Sequence, residues 1–258
     1  MLSKPLKPYD DPFEYFESKE FLKRYDEETE KQVQYLQSVK IDVIERANRT
    51  QMVQDLHKQG KYDEMWKIIE ETVRTYNYSI DFEVAPTKDV VSLIVSEIKK
   101  LDLKGIVSIG CSNGLLEFFL QLEADRNKYD INVYAIDLFK GPTAFQGLTP
   151  QIHRSPYYYD YCKVIEMDYR DTYVIKSNQA LLMCYSHPAD KLWQKYFKVY
   201  KGNCIVVIGK KYITLPYPQI FKEFPNMSKD KWVEEVHVPV GSRNYGTSMS
   251  IFRKVAGI

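Results

Sequence analysis

A turn that contains glycine is the first place in this sequence where residue types indicate chemistry. In IVSIGCSNG, residues 106–114, an apolar run ends at Gly110, and the helix-like stretch LLEFFLQL begins at Leu115. Glycine at such a turn lets the backbone bend sharply and approach a ligand without a clash from a Cβ atom. A tight strand-to-helix turn without a ligand is the alternative. The residues predicted to border a ligand are Gly110, Cys111, Ser112 and Gly114.

The second candidate is a carboxylate, Asp137, which ends the next apolar run, VYAID. A carboxylate at the tip of the second strand of a nucleotide-binding unit accepts hydrogen bonds from ribose hydroxyls. A polar residue that only terminates the strand is the alternative. The order of turn, helix, strand and acid favours the binding of a nucleotide.

These residues meet only if the elements around them form a parallel sheet. The runs VYAID, ALLMCY and CIVVIG are almost wholly apolar, as in parallel strands covered on both faces. The last two runs are joined by VGSRNYGTS, into which no helix fits, so we expect them to pair antiparallel. We predict an α/β fold with a doubly wound, seven-stranded, mostly parallel sheet and a terminal antiparallel hairpin. The seven runs are 106–110, 132–137, 163–168, 180–185, 204–209, 232–240 and 249–255.

The N-terminal third of the chain has a helical pattern instead. Apolar residues between positions 33 and 56 step mostly by three or four, which is the stripe of an amphipathic helix. Gly60 interrupts the pattern, and a second stripe follows. We predict a helical N-terminal region at 1–85 and an α/β domain at 86–258. The helical region is expected to serve as a lid, a substrate platform, or a surface for a partner or a second copy of the chain.

Composition narrows the class of protein. The 258 residues include 36 basic and 35 acidic side chains, so the net charge of +1 creates no field that would attract nucleic acid. A small molecule or a protein is therefore favoured over nucleic acid as a substrate. The four cysteines form no CxxC pair, and the four histidines are scattered, so no metal site is predicted. No apolar run is long enough to span a bilayer, which favours an intracellular, cytoplasmic protein, with the nucleus left open.

Seven strands ending in an antiparallel pair, together with the glycine turn and Asp137, resemble the class I S-adenosylmethionine-dependent methyltransferases, without indicating a subfamily. The motif of that family is an acidic residue followed by G-x-G-x-G. Gly110, Ser112 and Gly114 stand at its three glycine positions, and Ser108 stands at its acidic position. The resemblance implies S-adenosylmethionine as the cofactor and methyl transfer to a nitrogen or oxygen nucleophile as the reaction.

The resemblance also implies roles for residues after later strands. Asp168, which ends the third run, corresponds to the residue that faces the adenine amino group, and Tyr169 to the residue that packs on the ring. Leu138, after the second run, and Tyr185, at the end of the fourth, are expected to border the cofactor as well.

The loop after the fourth run is the predicted catalytic segment. Ser186-His187-Pro188-Ala189 stands where amino-methylating members have Asn or Asp, two prolines and an aromatic residue, and it keeps one proline. Ser186 is expected to orient the acceptor, and His187 to serve as a general base, since an imidazole titrates near neutrality. An ordinary polar residue on a loop is the alternative for His187.

Three other interpretations of the sequence remain. A non-catalytic binding or scaffold protein is suggested by Ser108 and by the incomplete fourth-strand motif. Nicotinamide-dependent redox chemistry is disfavoured by the terminal hairpin and by the absence of GxGxxG. Ribose 2'-O-methylation requires a Lys-Asp-Lys-Glu tetrad. It is disfavoured because Lys210 is the only residue of this sequence that plausibly matches a member of the tetrad.

The segment between the second and third runs has no clear pattern of its own. Its aromatic residues are expected either to form a wall for the substrate or the adenine, or to pack on one another in an exposed loop. They are Tyr157, Tyr158, Tyr159 and Tyr161.

Overall fold

The computed structural model describes residues 45, 47–76, 86–111, 113–138, 159–167, 171–184, 192–210, 232–240 and 247–255. The chain consists of two compact units, Met1–Gln51 and Met52–Ile258. In the first unit, residues 45 and 47–51 are helical. The boundary at residue 85 and the role of the helical region stay predictions. None of the helices in the described ranges is long and apolar enough to cross a membrane.

The second unit begins with helices and continues as alternating strands and helices. Residues 52–58 are helical (α1). The other elements are α2 (Tyr62–Tyr76), α3 (Lys88–Lys100), β1 (Gly105–Ile109), α4 (Leu115–Arg126), β2 (Asn132–Leu138), β3 (Val164–Met167), β4 (Gln179–Cys184), α5 (Leu192–Val199), β5 (Cys204–Lys210), β6 (Trp232–Pro239) and β7 (Thr247–Lys254).

The seven strands form one sheet in the order β3-β2-β1-β4-β5-β7-β6. Strands β1 to β5 pair in parallel, and β7 is antiparallel to both β5 and β6. The predicted fold class, including the terminal hairpin, is therefore confirmed. All five residues of β1 are buried, as their nearly continuous apolar run requires, whereas β6 at the edge alternates between more and less buried positions.

Both faces of the sheet are covered. Alternate residues of each strand point to opposite faces, so Ile106 packs in one core cluster and Val107 in the other. The first cluster contains side chains from α1 to α4, and the second contains Tyr196 and Phe197 of α5.

The second predicted helical stripe, on α2, packs in the first of these clusters. The Trp66 ring is 3% exposed and stacks on Phe119 of α4 at 4.5 Å between ring centroids. Its indole N–H donates a 3.0 Å hydrogen bond to the carbonyl oxygen of Pro86. Helix α2 is thereby joined to the helix that follows β1.

Candidate functional site

The strand order places a reversal between β1 and β4. From β1 the chain proceeds outward through β2 and β3 on one side, and it returns to β4 on the other side. In open parallel sheets, ligands bind beyond the carboxyl ends of the strands at this kind of switch point. The glycine turn follows the carboxyl end of β1, so the sequence-predicted turn lies at the position where a ligand is expected.

The glycine turn is hydrogen-bonded to β2 beside Asp137. The backbone N–H groups of Gly110 and Cys111 donate to the carbonyl oxygen of Ile136, at N···O distances of 2.8 and 3.2 Å. Asp137 is the next residue, and it is half-buried. The structure therefore brings together the turn and the carboxylate that the sequence predicted to act on one ligand.

The two described glycines of the turn are required for different structural reasons. Both have left-handed backbones, with φ of 79° at Gly110 and 75° at Gly114. Among the described residues, a Cβ atom at Gly110 would meet nothing within 4 Å, so these residues leave the space beside it open. A Cβ atom at Gly114 would lie 2.5 Å from the Sγ atom of Cys162. Gly110 leaves room for a ligand, and Gly114 leaves room for the chain itself.

The segment before β3 packs against the end of the turn. The N–H of Tyr161 donates to the carbonyl oxygen of Asn113 at 2.9 Å. The hydroxyl of Tyr159 lies 2.6 Å from Nδ1 of His57 on α1, and the rings of both tyrosines contact the imidazole edge to face. Tyr161 is 3% exposed. These two tyrosines therefore pack on each other and on His57, while the predicted wall residues Tyr157 and Tyr158 lie outside the described residues.

Burial lowers the pKa of His57, and a hydrogen bond with the backbone of Tyr161 opposes that shift. The imidazole is therefore favoured in its neutral form, and the tautomer decides whether its Nδ1 atom donates to the Tyr159 hydroxyl or accepts from it.

Beneath the turn lies a buried pair that the sequence analysis missed. The Ser108 hydroxyl donates a 2.5 Å hydrogen bond to Oε1 of Glu117, the third residue of α4. Ser108 is fully buried and Glu117 is 2% exposed. The pKa of Glu117 is raised to about 7, chiefly by burial and also by the charge of Asp137, while the Ser108 hydrogen bond opposes the rise. The signal in the sequence was a lone acid inside the apolar stretch LLEFFLQL.

Three thiols lie around this carboxyl group. Burial, and then the charge of Glu117, raise the pKa of Cys111, Cys162 and Cys184. The pKa of Cys162 reaches about 12. Neutral thiols are poor nucleophiles, so these cysteines line the site as small apolar groups.

The remaining predicted site residues divide into two groups. Leu138 is the last residue of β2, and its backbone lies at the same sheet edge as Asp137. Six predicted residues lie outside the described part of the chain and stay predictions. They are Ser112, Asp168, Tyr169, Tyr185, Ser186 and His187.

No family model and no curated protein matches the chain. Among solved structures, it is similar to magnesium protoporphyrin IX methyltransferase from Synechocystis PCC 6803 with bound SAM, at 11% identity over 80% of this chain and 97% of that chain, with a TM-score of 0.41. It is similar to the methyltransferase domain of bacterial CtHen1-CN at 13% identity, over 63% of this chain and 96% of that chain, with a TM-score of 0.38. It is also similar to TrmK of M. capricolum in complex with S-adenosyl-homocysteine at 11% identity, over 62% and 67% of the two chains, with a TM-score of 0.38. The sheet order, the antiparallel final pair and the helices on both faces form the doubly wound α/β fold that the sequence predicted.

Proposed function

We propose that this protein binds S-adenosylmethionine and transfers its methyl group to a nitrogen or oxygen nucleophile. The observation that carries the proposal is the pair of hydrogen bonds from Gly110 and Cys111 to Ile136, because they hold the glycine turn beside Asp137 at the switch point of the sheet. An open backbone turn next to a carboxylate is the arrangement that binds the ribose of a nucleotide cofactor.

The predicted site residues have different roles in this proposal. The open space at Gly110 admits the cofactor close to the backbone. Asp137 accepts hydrogen bonds from the ribose hydroxyls. Asp168 and Tyr169, which follow β3, bind the adenine edge and ring. Gly114, Cys111 and Ser112 shape the turn, and Leu138 and Tyr185 border the cofactor.

S-adenosylmethionine supplies a methyl group on a sulfonium, which is already a good leaving group. The protein therefore needs to supply proximity, alignment and a site that excludes water. Ser186 accepts a hydrogen bond from the incoming acceptor. His187 takes the proton that the acceptor loses as its new bond to the methyl carbon forms and the carbon–sulfur bond breaks.

The acceptor is proposed to be a small molecule or a protein, since the near-neutral net charge favours neither long nucleic acid nor an anionic surface. The helical region at 1–85 is proposed to form part of the acceptor site or a partner surface. The proposed location is the cytoplasm.

Calorimetric titration with S-adenosylmethionine, S-adenosylhomocysteine and NAD tests the proposal before any acceptor is known. We expect S-adenosylmethionine and S-adenosylhomocysteine to bind and NAD not to bind. Binding of NAD alone would overturn the proposal in favour of redox chemistry. Radiolabelled methyl transfer to fractionated lysate is the second step. Cofactor binding without labelling of protein, RNA or small-molecule fractions would favour a non-catalytic binding protein.

A further inference from the structure

Glu117 is a buried acid with incomplete hydrogen bonding. Its Oε1 atom accepts the Ser108 hydroxyl, but its Oε2 atom is buried and has no hydrogen-bond partner among the described residues. A buried polar atom without a partner loses the hydration it had in the unfolded chain and gains nothing in return. An acid in this position therefore indicates a partner beyond the part of the chain that the structure describes, and a bound ligand would supply one.

The position of the acid points to the cofactor turn. Ser108 stands two residues before Gly110, at the acidic position of the motif that the turn resembles. Glu117 stands three residues after Gly114 and hydrogen-bonds to Ser108. The carboxyl group that the strand lacks is thus supplied from the first turn of α4, where the partial positive charge of the helix N-terminus favours an acid.

Among the described residues, the titratable side chains that act on Glu117 carry no positive charge. Asp137 acts on it from β2, and the thiols of Cys111, Cys162 and Cys184 are coupled to it from the turn, from the segment before β3 and from the end of β4. Each of these groups is neutral or negative. A positively charged ligand would therefore add to an ionised Glu117 the full opposite charge that these side chains do not provide.

We propose that Glu117 is the cation-binding residue of this site, where its Oε2 atom pairs with a positively charged group of S-adenosylmethionine and the carboxyl group releases its proton as the cofactor binds. This inference rests on the proposed function. The cofactor carries two cationic groups, an ammonium and a sulfonium, either of which provides the charge that Oε2 requires.

Proton release follows from the difference between the empty and the occupied site. In the empty site, burial and Asp137 favour the neutral acid, so a large fraction of Glu117 is protonated near neutrality. A cation at Oε2 favours the carboxylate instead. Affinity for the cofactor is therefore expected to fall by up to about tenfold for each pH unit below about 7, and to level off above it.

The test is calorimetric titration of the whole chain with S-adenosylmethionine in two buffers of different ionisation enthalpy. The difference between the two heats gives the protons released for each cofactor bound. We expect up to about one proton below neutrality and progressively fewer as the pH rises, as ionisation linkage requires. S-adenosylhomocysteine, which keeps the ammonium and lacks the sulfonium, identifies the cation. Equal release with both ligands assigns the ammonium, and release with S-adenosylmethionine alone assigns the sulfonium.

The variant is Glu117→Gln, which keeps an oxygen for the Ser108 hydroxyl and removes the titration. It is expected to abolish proton release and to weaken binding about ten- to a hundredfold at alkaline pH, where the wild-type carboxylate is ionised. Glu123→Gln is the matched control on the same helix, because the Glu123 carboxylate accepts its hydrogen bond from Ser92 on α3 at 2.7 Å. It should release protons as the wild type does.

Two negative results have separate meanings. If the wild-type chain does not bind S-adenosylmethionine at any pH, the proposed function fails and this inference falls with it. If the wild type binds with pH-independent affinity and no proton release, Glu117 is not the cation-binding residue, while the proposed function stands. Since that second result needs only the wild type, it does not depend on whether Glu117→Gln folds.

Discussion

The N–H of Gly110 donates a 2.8 Å hydrogen bond to the carbonyl oxygen of Ile136. This contact joins the residue after β1 to the residue before Asp137, so the turn is held beside the carboxylate. The turn proposed to admit the cofactor and the carboxylate proposed to bind its ribose are therefore adjacent.

Replacing Asp137 with alanine should weaken S-adenosylmethionine binding by about 1–3 kcal/mol, because buried ribose hydroxyls would lose a charged partner. Calorimetric titration measures the change. Asp130→Ala is a suitable control, because Asp130 precedes β2, whereas Asp137 lies near the end of that strand. The Asp130 side chain is 79% exposed and lies beside Lys104. Unchanged affinity in a folded Asp137→Ala protein would remove this residue from the cofactor site.

Gly110→Val should abolish cofactor binding while the fold survives. No atom of the described residues lies within 4 Å of a Cβ atom at this position, so the added side chain enters the space proposed for the ligand. The left-handed backbone adds a strain of about 1–3 kcal/mol for a residue other than glycine. Circular dichroism establishes folding, and titration then measures affinity. Retained affinity would place the cofactor elsewhere.

Gly114→Ala should destabilise the protein for a different reason, because its Cβ atom would overlap the Sγ atom of Cys162. Adding Cys162→Ala removes that sulfur and should recover part of the lost free energy of unfolding. The coupling between contacting residues is typically about 0.5–3 kcal/mol in such a cycle. Urea denaturation of the two single variants and the double variant measures it. Additive effects would mean that the sulfur is not the obstacle.

The buried acid should affect the pH dependence of stability. The pKa of Glu117 is raised to about 7 in the folded chain, so the folded state binds more protons than the unfolded state between about 4.5 and 7. Its contribution to stability is present at acidic pH and lost as the pH rises through that window. Glu117→Gln should therefore gain stability relative to the wild type, by about a few kcal/mol, between pH 4.5 and pH 8. Urea denaturation across this range measures the free energy of unfolding of both proteins. If Glu117 were ionised throughout, the difference between the wild type and Glu117→Gln would not change with pH.

The predicted catalytic loop gives the last test. Ser186→Ala combined with His187→Ala should lower methyl transfer by at least about a hundredfold, because both proton removal and acceptor alignment are lost. Cofactor affinity should stay within about threefold, since these residues are proposed to contact the acceptor. A double variant that labels as well as the wild type would move the catalytic role to the segment Tyr157–Tyr161.

The positions of the central strands were predictable because parallel strands covered on both faces have short, nearly continuous apolar runs. The meeting of Gly110 and Asp137 was predictable too, since Gly110 follows β1 and Asp137 is the penultimate residue of β2, its parallel neighbour. Glu117 was not predicted. An acid in a helix is usually solvated, and its burial depends on a hydroxyl that β1 presents across the helix–sheet contact.

The packing of Tyr159 on α1 was equally hidden from the sequence. His57 and Tyr159 are 102 positions apart, and the pattern of each segment gives no sign of its partner. Two of the four tyrosines, Tyr159 and Tyr161, form part of this aromatic contact, and the prediction of a ligand wall stays a prediction.

The same contact bears on the order in which the protein folds. The turn after β1 is complete only when residues 159–162 arrive from beyond β2 and are held by His57, which precedes β1. Closing so long a loop is entropically costly and is rewarded only by contacts made after closure. A nascent chain that has emerged only as far as β2 thus contains both Gly110 and Asp137 without residues 159–162, which pack against Asn113 and Gly114, and the turn is completed only as β3 emerges.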